Sequence, residues 1–284
     1  MKNEEPKSKR GRLADILKIK LEDRRGGARY GVGVKPRSLP RAAIVEPGLV
    51  LYLNAGLTQS YPGSGSTWND LSTYGNNATI SEGTYFPNFE GYIQINDQPP
   101  NPNDYGVDFT AAALTNVCTV QFWARVPESF GIATAFSFYQ YGFVFNNTWG
   151  PGFTTYNGPA YTSSQLLPAT SPQFYTSSYP NPNGPWVNWT CVMRSDVAYD
   201  VANKLYVNGI NYSSSLSQQF GPALTGSFSA GVGRIGNSGY AGVIPPVGTP
   251  YPMSFDCGLF MVYNRELTQA EIFQNIAATD YRFY

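Results

Sequence analysis

The chain of 284 residues contains no histidine. Histidine is the side chain that titrates nearest neutrality and the commonest transition-metal ligand. Its absence excludes Ser-His-Asp and Cys-His catalysis and any histidine-built metal centre. Cysteine is scarce as well. Cys118, Cys191 and Cys257 lie far apart, each inside an apolar run. An odd number at such spacing fits neither a disulfide framework nor a metal site. They are expected to be buried free thiols that pack as small apolar side chains. No apolar run approaches the roughly 18 residues a membrane helix needs, so no membrane span is expected. The amino terminus is charged but has no apolar stretch leading to a small-residue cleavage site. Ordinary secretion is therefore not expected, and a surface role would come through assembly into a particle.

Charge is missing from one long stretch. Between Ser129 and Met193 there is no Lys, Arg, Asp or Glu. Aromatic residues stand there among Ser, Thr, Asn, Gly and Pro. Phe136, Phe138, Phe143 and Phe145 are spaced as strands around an expected turn at Gly142. Gly150 to Pro185 reads as a long loop or loosely paired hairpins, and a loop of that length is usually functional or makes a contact. Tyr141, Trp149, Tyr156, Tyr161, Tyr175 and Tyr179 are the candidate contacts with a glycan or a partner. Their rings suit the apolar faces of sugars, and the neighbouring amides and hydroxyls suit sugar hydroxyls. Filling a core or a protein interface is the competing use of the same residue types.

The balanced net charge conceals a partition. Residues 1–45 hold 13 Lys+Arg against 5 Asp+Glu, whereas residues 46–284 hold 6 against 14. That reads as a basic arm, 1–45, on an acidic body, 46–284. In the arm, Leu13, Ile16, Leu17 and Leu21 share one face of a short helix. Three turns alone in water are marginal, so this helix needs a surface to dock on. The surface is either its own body or another protein. Arg24, Arg25 and Arg29 follow, and Ala28 to Pro47 reads as an extended strap kept from helix by Pro36, Pro40 and Pro47. Tyr30 is the arm's only aromatic, so no stacking platform for nucleic acid is expected. An acidic protein surface is the expected partner.

The body favours short strands and turns, with 29 Gly, 22 Pro and 21 Tyr. Cys118 to Val126 alternates Val120, Phe122 and Ala124 with Thr119, Gln121, Trp123 and Arg125. Asn208-Gly209 signals a type I′ hairpin turn. Phe255 to Tyr263 is apolar on both faces and must be covered on both. Strict alternation assigns Phe255, Cys257, Leu259, Met261 and Tyr263 to one face, and Phe260 and Val262 to the other. Thr268 and Glu271 then form a capping box, with Leu267 and Ile272 spaced as a hydrophobic staple.

Glycoside hydrolysis needs two carboxylates about 5–9 Å apart, which on one strand face means acids at a period of two. No such spacing occurs, so no enzymatic activity is expected. Asn96, Asp97, Asp104 and Asp108 form the one plausible calcium cluster. They read better as turn chemistry than as a cage of six to eight oxygens, so no cofactor or metal is expected. The Asn-x-Ser/Thr sequons at Asn77, Asn146, Asn188 and Asn211 read as chance.

Gly48-Leu-Val-Leu-Tyr-Leu-Asn-Ala-Gly56, Trp68-Asn-Asp-Leu-Ser72, Cys118-Thr-Val-Gln-Phe-Trp-Ala-Arg125, Leu205-Tyr-Val-Asn-Gly209 and Tyr263-Asn-Arg-Glu-Leu-Thr-Gln-Ala-Glu-Ile272 occur in this order. Together they resemble the laminin-G-like branch of the concanavalin A-like lectin/glucanase superfamily. The resemblance implies an all-β jelly-roll sandwich with a short C-terminal helix, here preceded by the basic arm and its one helix. Such domains are common in phage structural proteins. That implies a virion location, multimeric assembly, and docking on other virion proteins through the arm. A carbohydrate-binding lectin module for host or surface attachment is the alternative.

Overall fold

In the computed structural model, Phe255–Tyr263 is a nine-residue strand with every residue buried. The described residues are 42–88, 91–95, 106–111, 113–126, 132–138, 141–146, 151–157, 160–166, 185–195, 203–213, 216–220, 228, 231–236 and 255–283. They belong to a unit that runs from Arg41 to Tyr284. The expected arm helix and the strap as far as Arg41, with Leu13, Ile16, Leu17, Leu21, Arg24, Arg25 and Arg29, lie outside them.

The strands in chain order begin with β1 (Leu49–Asn54), β2 (Thr67–Trp68), β3 (Ala78–Glu82), β4 (Thr84–Phe86), β5 (Tyr92–Ile95) and β6 (Gly106–Thr110). Next come β7 (Val117–Arg125), β8 (Ile132–Phe138), β9 (Tyr141–Asn146), β10 (Gly152–Asn157), β11 (Ala160–Leu166) and β12 (Val187–Arg194). The last are β13 (Lys204–Val207), β14 (Ile210–Asn211), β15 (Leu216–Phe220), β16 (Val232–Ile235) and β17 (Phe255–Tyr263), before the helix α1 (Gln269–Thr279). One sheet has the order β14-β13-β12-β7-β17-β5-β4, with β1 also on β17; the other runs β15-β11-β10-β9-β8-β16-β6-β3-β2. All pairings are antiparallel. The unit is an all-β jelly-roll sandwich with a short C-terminal helix.

Between the sheets lies an aromatic core. Val120, Phe122 and Ala124 of β7 meet Phe136, Phe138, Phe143, Phe145 and Phe153 from the second sheet. Phe122 contacts Phe136 edge-on at 5.7 Å, and Phe145 contacts Trp189 at 5.0 Å. Each fully buried ring of this size is worth roughly 1.5–3 kcal/mol against exposure. These six aromatics of the uncharged stretch are therefore core residues. Gly142 does not make the turn expected there, because it pairs with Ser137 inside the β8–β9 ladder.

The strict alternation expected for β17 is corrected by a bulge. Cys257 pairs with Ala124 and Leu259 with Trp123, so Gly258 is an extra residue. The bulge turns Phe255 and Cys257 to the side of Phe260 and Val262, in the core between the sheets. Leu259, Met261 and Tyr263 pack on the outer face. A Cβ on Gly258 would stand 2.5 Å from the Phe283 ring, so only glycine lets that ring close on the strand.

The outer face of this sheet carries Thr119, Gln121, Trp123 and Arg125 of β7, and all four are buried. Polar side chains there need partners inside the protein, and α1 supplies those of Gln121 and Trp123, with the strap bonded beside it. Asn275 donates to Gln121 Oε1 at 2.8 Å and to the Tyr263 hydroxyl at 2.9 Å. Thr279 accepts from Trp123 Nε1 at 2.9 Å. The Val45 amide donates to Asn275 Oδ1 at 2.8 Å, and Tyr263 donates to the Val45 carbonyl at 3.0 Å. Residues 42–45, counted above with the arm, thus lie against the body. The capping box at Thr268 and Glu271 forms. Leu267 and Ile272 are both buried in the cluster under the helix. Asn208 and Gly209 take φ of 49° and 78°, both positive as the type I′ turn requires.

Candidate functional site

Three of the six candidate contact residues fall on adjacent strands of the second sheet. Thr154, Thr155 and Tyr156 of β10 and Tyr161 and Thr162 of β11 are strong strand formers. The two strands pair from Gly152↔Gln165 to Asn157↔Ala160. Tyr156 lies directly opposite Tyr161 in that ladder. Residues so opposed stand about 5 Å apart at Cα. Tyr141 opens β9 opposite Thr155, one residue along. The register positions of Tyr156 and Tyr161 alternate with that of Phe153, which is fully buried in the core. β15 joins the far side of β11 with Leu216, Ser217, Gln218 and Phe220. The hairpin and β15 together carry no Lys, Arg, Asp or Glu. Trp149, Tyr175 and Tyr179 lie outside the described residues.

Among the described residues, several charged groups of the body lie elsewhere and are paired. Arg125 binds Asp256 through Nε at 2.7 Å and Nη2 at 2.6 Å, with side chains only 4% and 2% exposed. Its guanidinium also lies over the rings of Tyr92 at 4.9 Å and Trp186 at 5.0 Å. Arg234 makes a two-pronged bond to Asp108, 2.5 and 3.0 Å, across the β16–β6 ladder. Lys204 pairs with Glu266 at 2.6 Å. Arg265 grips Glu271 at 2.7 and 3.0 Å. That pairing, with help from the amide and hydroxyl of Thr268, pulls the Glu271 carboxyl down to about 2. Arg282 is buried and donates to Asn54 Oδ1 and to the Gly91 carbonyl.

Asp70 and Asp108 are committed as well. Asp70 accepts from the amides of Tyr52, Ser72 and Asn76 at 2.7, 2.9 and 2.8 Å and from the Ser72 hydroxyl at 2.6 Å. Its role is to fasten the Trp68–Asn77 loop to β1. Asp108, one of the calcium candidates, has both oxygens on Arg234; Asn96, Asp97 and Asp104 lie outside the described residues. No group of three or more His, Cys, Asp or Glu placed to hold a metal occurs among the described residues. The Asn188 sequon is 1% exposed, with its Oδ1 accepting from Gln121 at 3.0 Å, so it is no glycan acceptor in the folded chain.

Sequence reasoning did not find the Arg125–Asp256 and Arg234–Asp108 pairs. Their partners are 131 and 126 residues apart, and no local spacing signals such a contact. It did find the closing Tyr-Asn-Arg-x-Leu-Thr-x-x-Glu-Ile segment, and the structure gives each residue a packing task. Arg265 Nε reaches the Pro47 carbonyl at 2.8 Å, and the Leu267 amide donates to Thr119 at 3.0 Å. The motif closes the sandwich. No helix among the described residues is long and apolar enough to cross a membrane.

No family model matches this chain, and no curated protein does. Solved structures do. The binding domain of botulinum neurotoxin DC in complex with SialylT is 12% identical, with 82% of this chain and 51% of that one covered at a TM-score of 0.52. The binding domain of the same neurotoxin in complex with rat synaptotagmin II is also 12% identical, with coverage of 84% and 52% and a TM-score of 0.52. Trypanosoma rangeli sialidase in complex with the inhibitor DANA is 14% identical, with coverage of 96% and 39% and a TM-score of 0.51. The chain spans about half the length of these toxin domains and less of the sialidase. At such identities the likeness is one of fold, a lectin-like β-sandwich.

Proposed function

We propose that this protein is a structural component of a virus or bacteriophage particle whose lectin-like body binds glycans without cleaving them. The body is read as a laminin-G-like member of its superfamily, attached by residues of the basic arm. One observation carries the glycan reading: an uncharged, hydroxyl-rich hairpin on which Tyr156 opposes Tyr161. Aromatic residues beside hydroxyls and amides are the chemistry that sugars require, since rings stack on their C–H faces and neutral polar groups meet their hydroxyls. The toxin domain in complex with SialylT has a comparable sandwich, which supports the reading as precedent for the fold. The non-enzymatic part rests on the commitments of Asp70, Asp108, Asp256, Glu266 and Glu271.

The particle reading rests on the charge partition, 13 cations in the first 45 residues against 6 in the rest. The described chain begins beside α1, on the outer face of the first sheet, whereas the hairpin belongs to the second sheet. A body held by its amino-terminal segment would thus leave the hairpin's sheet free to face outward. The test is the full chain on a glycan array, with released sugar measured alongside. Binding without turnover is expected. Turnover abolished by neutralising one body carboxylate would overturn it, as would binding to no glycan at all.

A further inference from the structure

Resting on the glycan reading, we infer that the sugar this body binds is uncharged and that acidic glycans, sialylated ones included, are disfavoured. The place of every cation in the body bears this out. Residues 46–284 contain six Lys and Arg and no His, and all six lie among the described residues. A sugar carboxylate or sulfate is bound most strongly by a guanidinium fork or an ammonium, with hydroxyls and amides as weaker neutral donors.

None of the six is placed for it. Arg125, Arg234 and Arg282 are 3%, 5% and 5% exposed. Arg125 and Arg234 hold Asp256 and Asp108, and Arg282 holds Asn54 and Gly91. Arg265 and Lys204 hold Glu271 and Glu266 beside the start of α1. Arg194 is half-buried at the end of β12, in the other sheet from the hairpin. Prising Arg125 from Asp256 to serve a sugar would leave that carboxylate buried and unpaired, at a large cost.

Distance excludes the one cation in the hairpin's own sheet. The residues Arg234, Ser137, Gly142 and Thr154 are consecutive partners across β16, β8, β9 and β10. Three strand spacings put Arg234 about 14 Å from β10, beyond a direct contact and beyond a screening length of about 8 Å. Backbone amides offer no substitute at the helix start, since the first turn of α1 is closed by its own Thr268 and Glu271. The body's remaining charge is negative, so an acidic sugar meets repulsion that none of the body's own cations is placed to offset.

The experiment compares one branched glycan ending in galactose with the same glycan capped by sialic acid, titrated calorimetrically into the full chain. It is run at low and at high salt, on the natural sequence and on Tyr156→Ala. The neutral glycan is expected to bind, and to lose at least several-fold in affinity in Tyr156→Ala. The capped glycan is expected to bind several-fold more weakly, with the gap narrowing as salt rises. Tighter binding of the sialylated form that is lost in Tyr156→Ala would overturn this inference while leaving the glycan reading intact. Binding of neither would overturn both.

Discussion

Arg265 and Glu271 form a two-pronged ion pair, and the third donor of the same guanidinium reaches the Pro47 carbonyl at 2.8 Å. One side chain therefore joins the turn entering β1 to the first turn of α1. The two ends of the body are tied at a point that chain order alone would leave 218 residues apart.

This pair makes stability depend on acid. Glu271 titrates near 2 in the folded chain and near 4.3 when unfolded. Its contribution is fully present above the unfolded value and disappears as pH falls through the folded one. Glu271→Gln keeps a capping side chain but removes the charge. At pH 7 it should cost about 1 kcal/mol, in the range of partly exposed pairs and caps. Thermal unfolding at pH 7 and at pH 2 checks this: the gap between natural protein and variant should close at the lower pH. An undiminished gap would show that the charge is not the cause.

Gly258 should tolerate no side chain. Phe283 stacks on Trp123 at 4.7 Å and packs on Trp186 at 4.9 Å, so it has little room to retreat from a new methyl group. Gly258→Ala is expected to destabilise by about 1–3 kcal/mol, the usual cost of overpacking. In Gly258→Ala/Phe283→Ala the two effects should sum to less than their separate costs. Additive losses in chemical denaturation would mean that the ring is not what the methyl group meets.

The strap at residues 42–45 should behave as part of the body. Removing residues 1–41 is expected to leave a cooperatively unfolding protein of nearly unchanged midpoint. Removing 1–45 also strips Val45 from its pocket and leaves Asn275 and Tyr263 short of the Val45 backbone. Burial of one Val is worth roughly 1.5–3 kcal/mol, and a deprived buried polar group costs roughly 1–3 kcal/mol more. Equal midpoints for the two truncations would contradict the role given to Val45.

The proposed particle role predicts how attachment of the arm divides into its parts when incorporation into particles is assayed. Replacing Leu13 and Leu17 with Asp should abolish incorporation, because each buried apolar side chain is worth roughly 1.5–3 kcal/mol. Replacing Arg24, Arg25 and Arg29 with Ser should mainly slow it, since exposed ion pairs contribute roughly 0–1 kcal/mol each. The reverse pattern would mean that charge holds the arm.

Cys118, Cys191 and Cys257 are buried without disulfides, and burial pushes all three thiols up. A thiol reagent at pH 8 should label none of them natively and all of them in denaturant. Rapid labelling of the folded protein would refute their assignment as core residues.

Local order determined much of this molecule. The Thr268–Glu271 cap, the Asn208-Gly209 turn and the alternation of Val120, Phe122 and Ala124 each depend on neighbours within four residues, and so they are written in the sequence. Long-range partnership is not. Nothing near Gly142 shows that it pairs with Ser137 rather than turning the chain. Nothing near Gly258 except the glycine itself marks the bulge that moves Cys257 to the inner face. The polar alternation of Thr119 and Gln121 resembles a solvent face, and only the docking of α1 buries it. Whether the tyrosines of the uncharged stretch oppose one another was likewise undecided until β10 found β11. Side-chain periodicity tells which residues share a face, but what covers that face is settled by contacts closed across the whole chain.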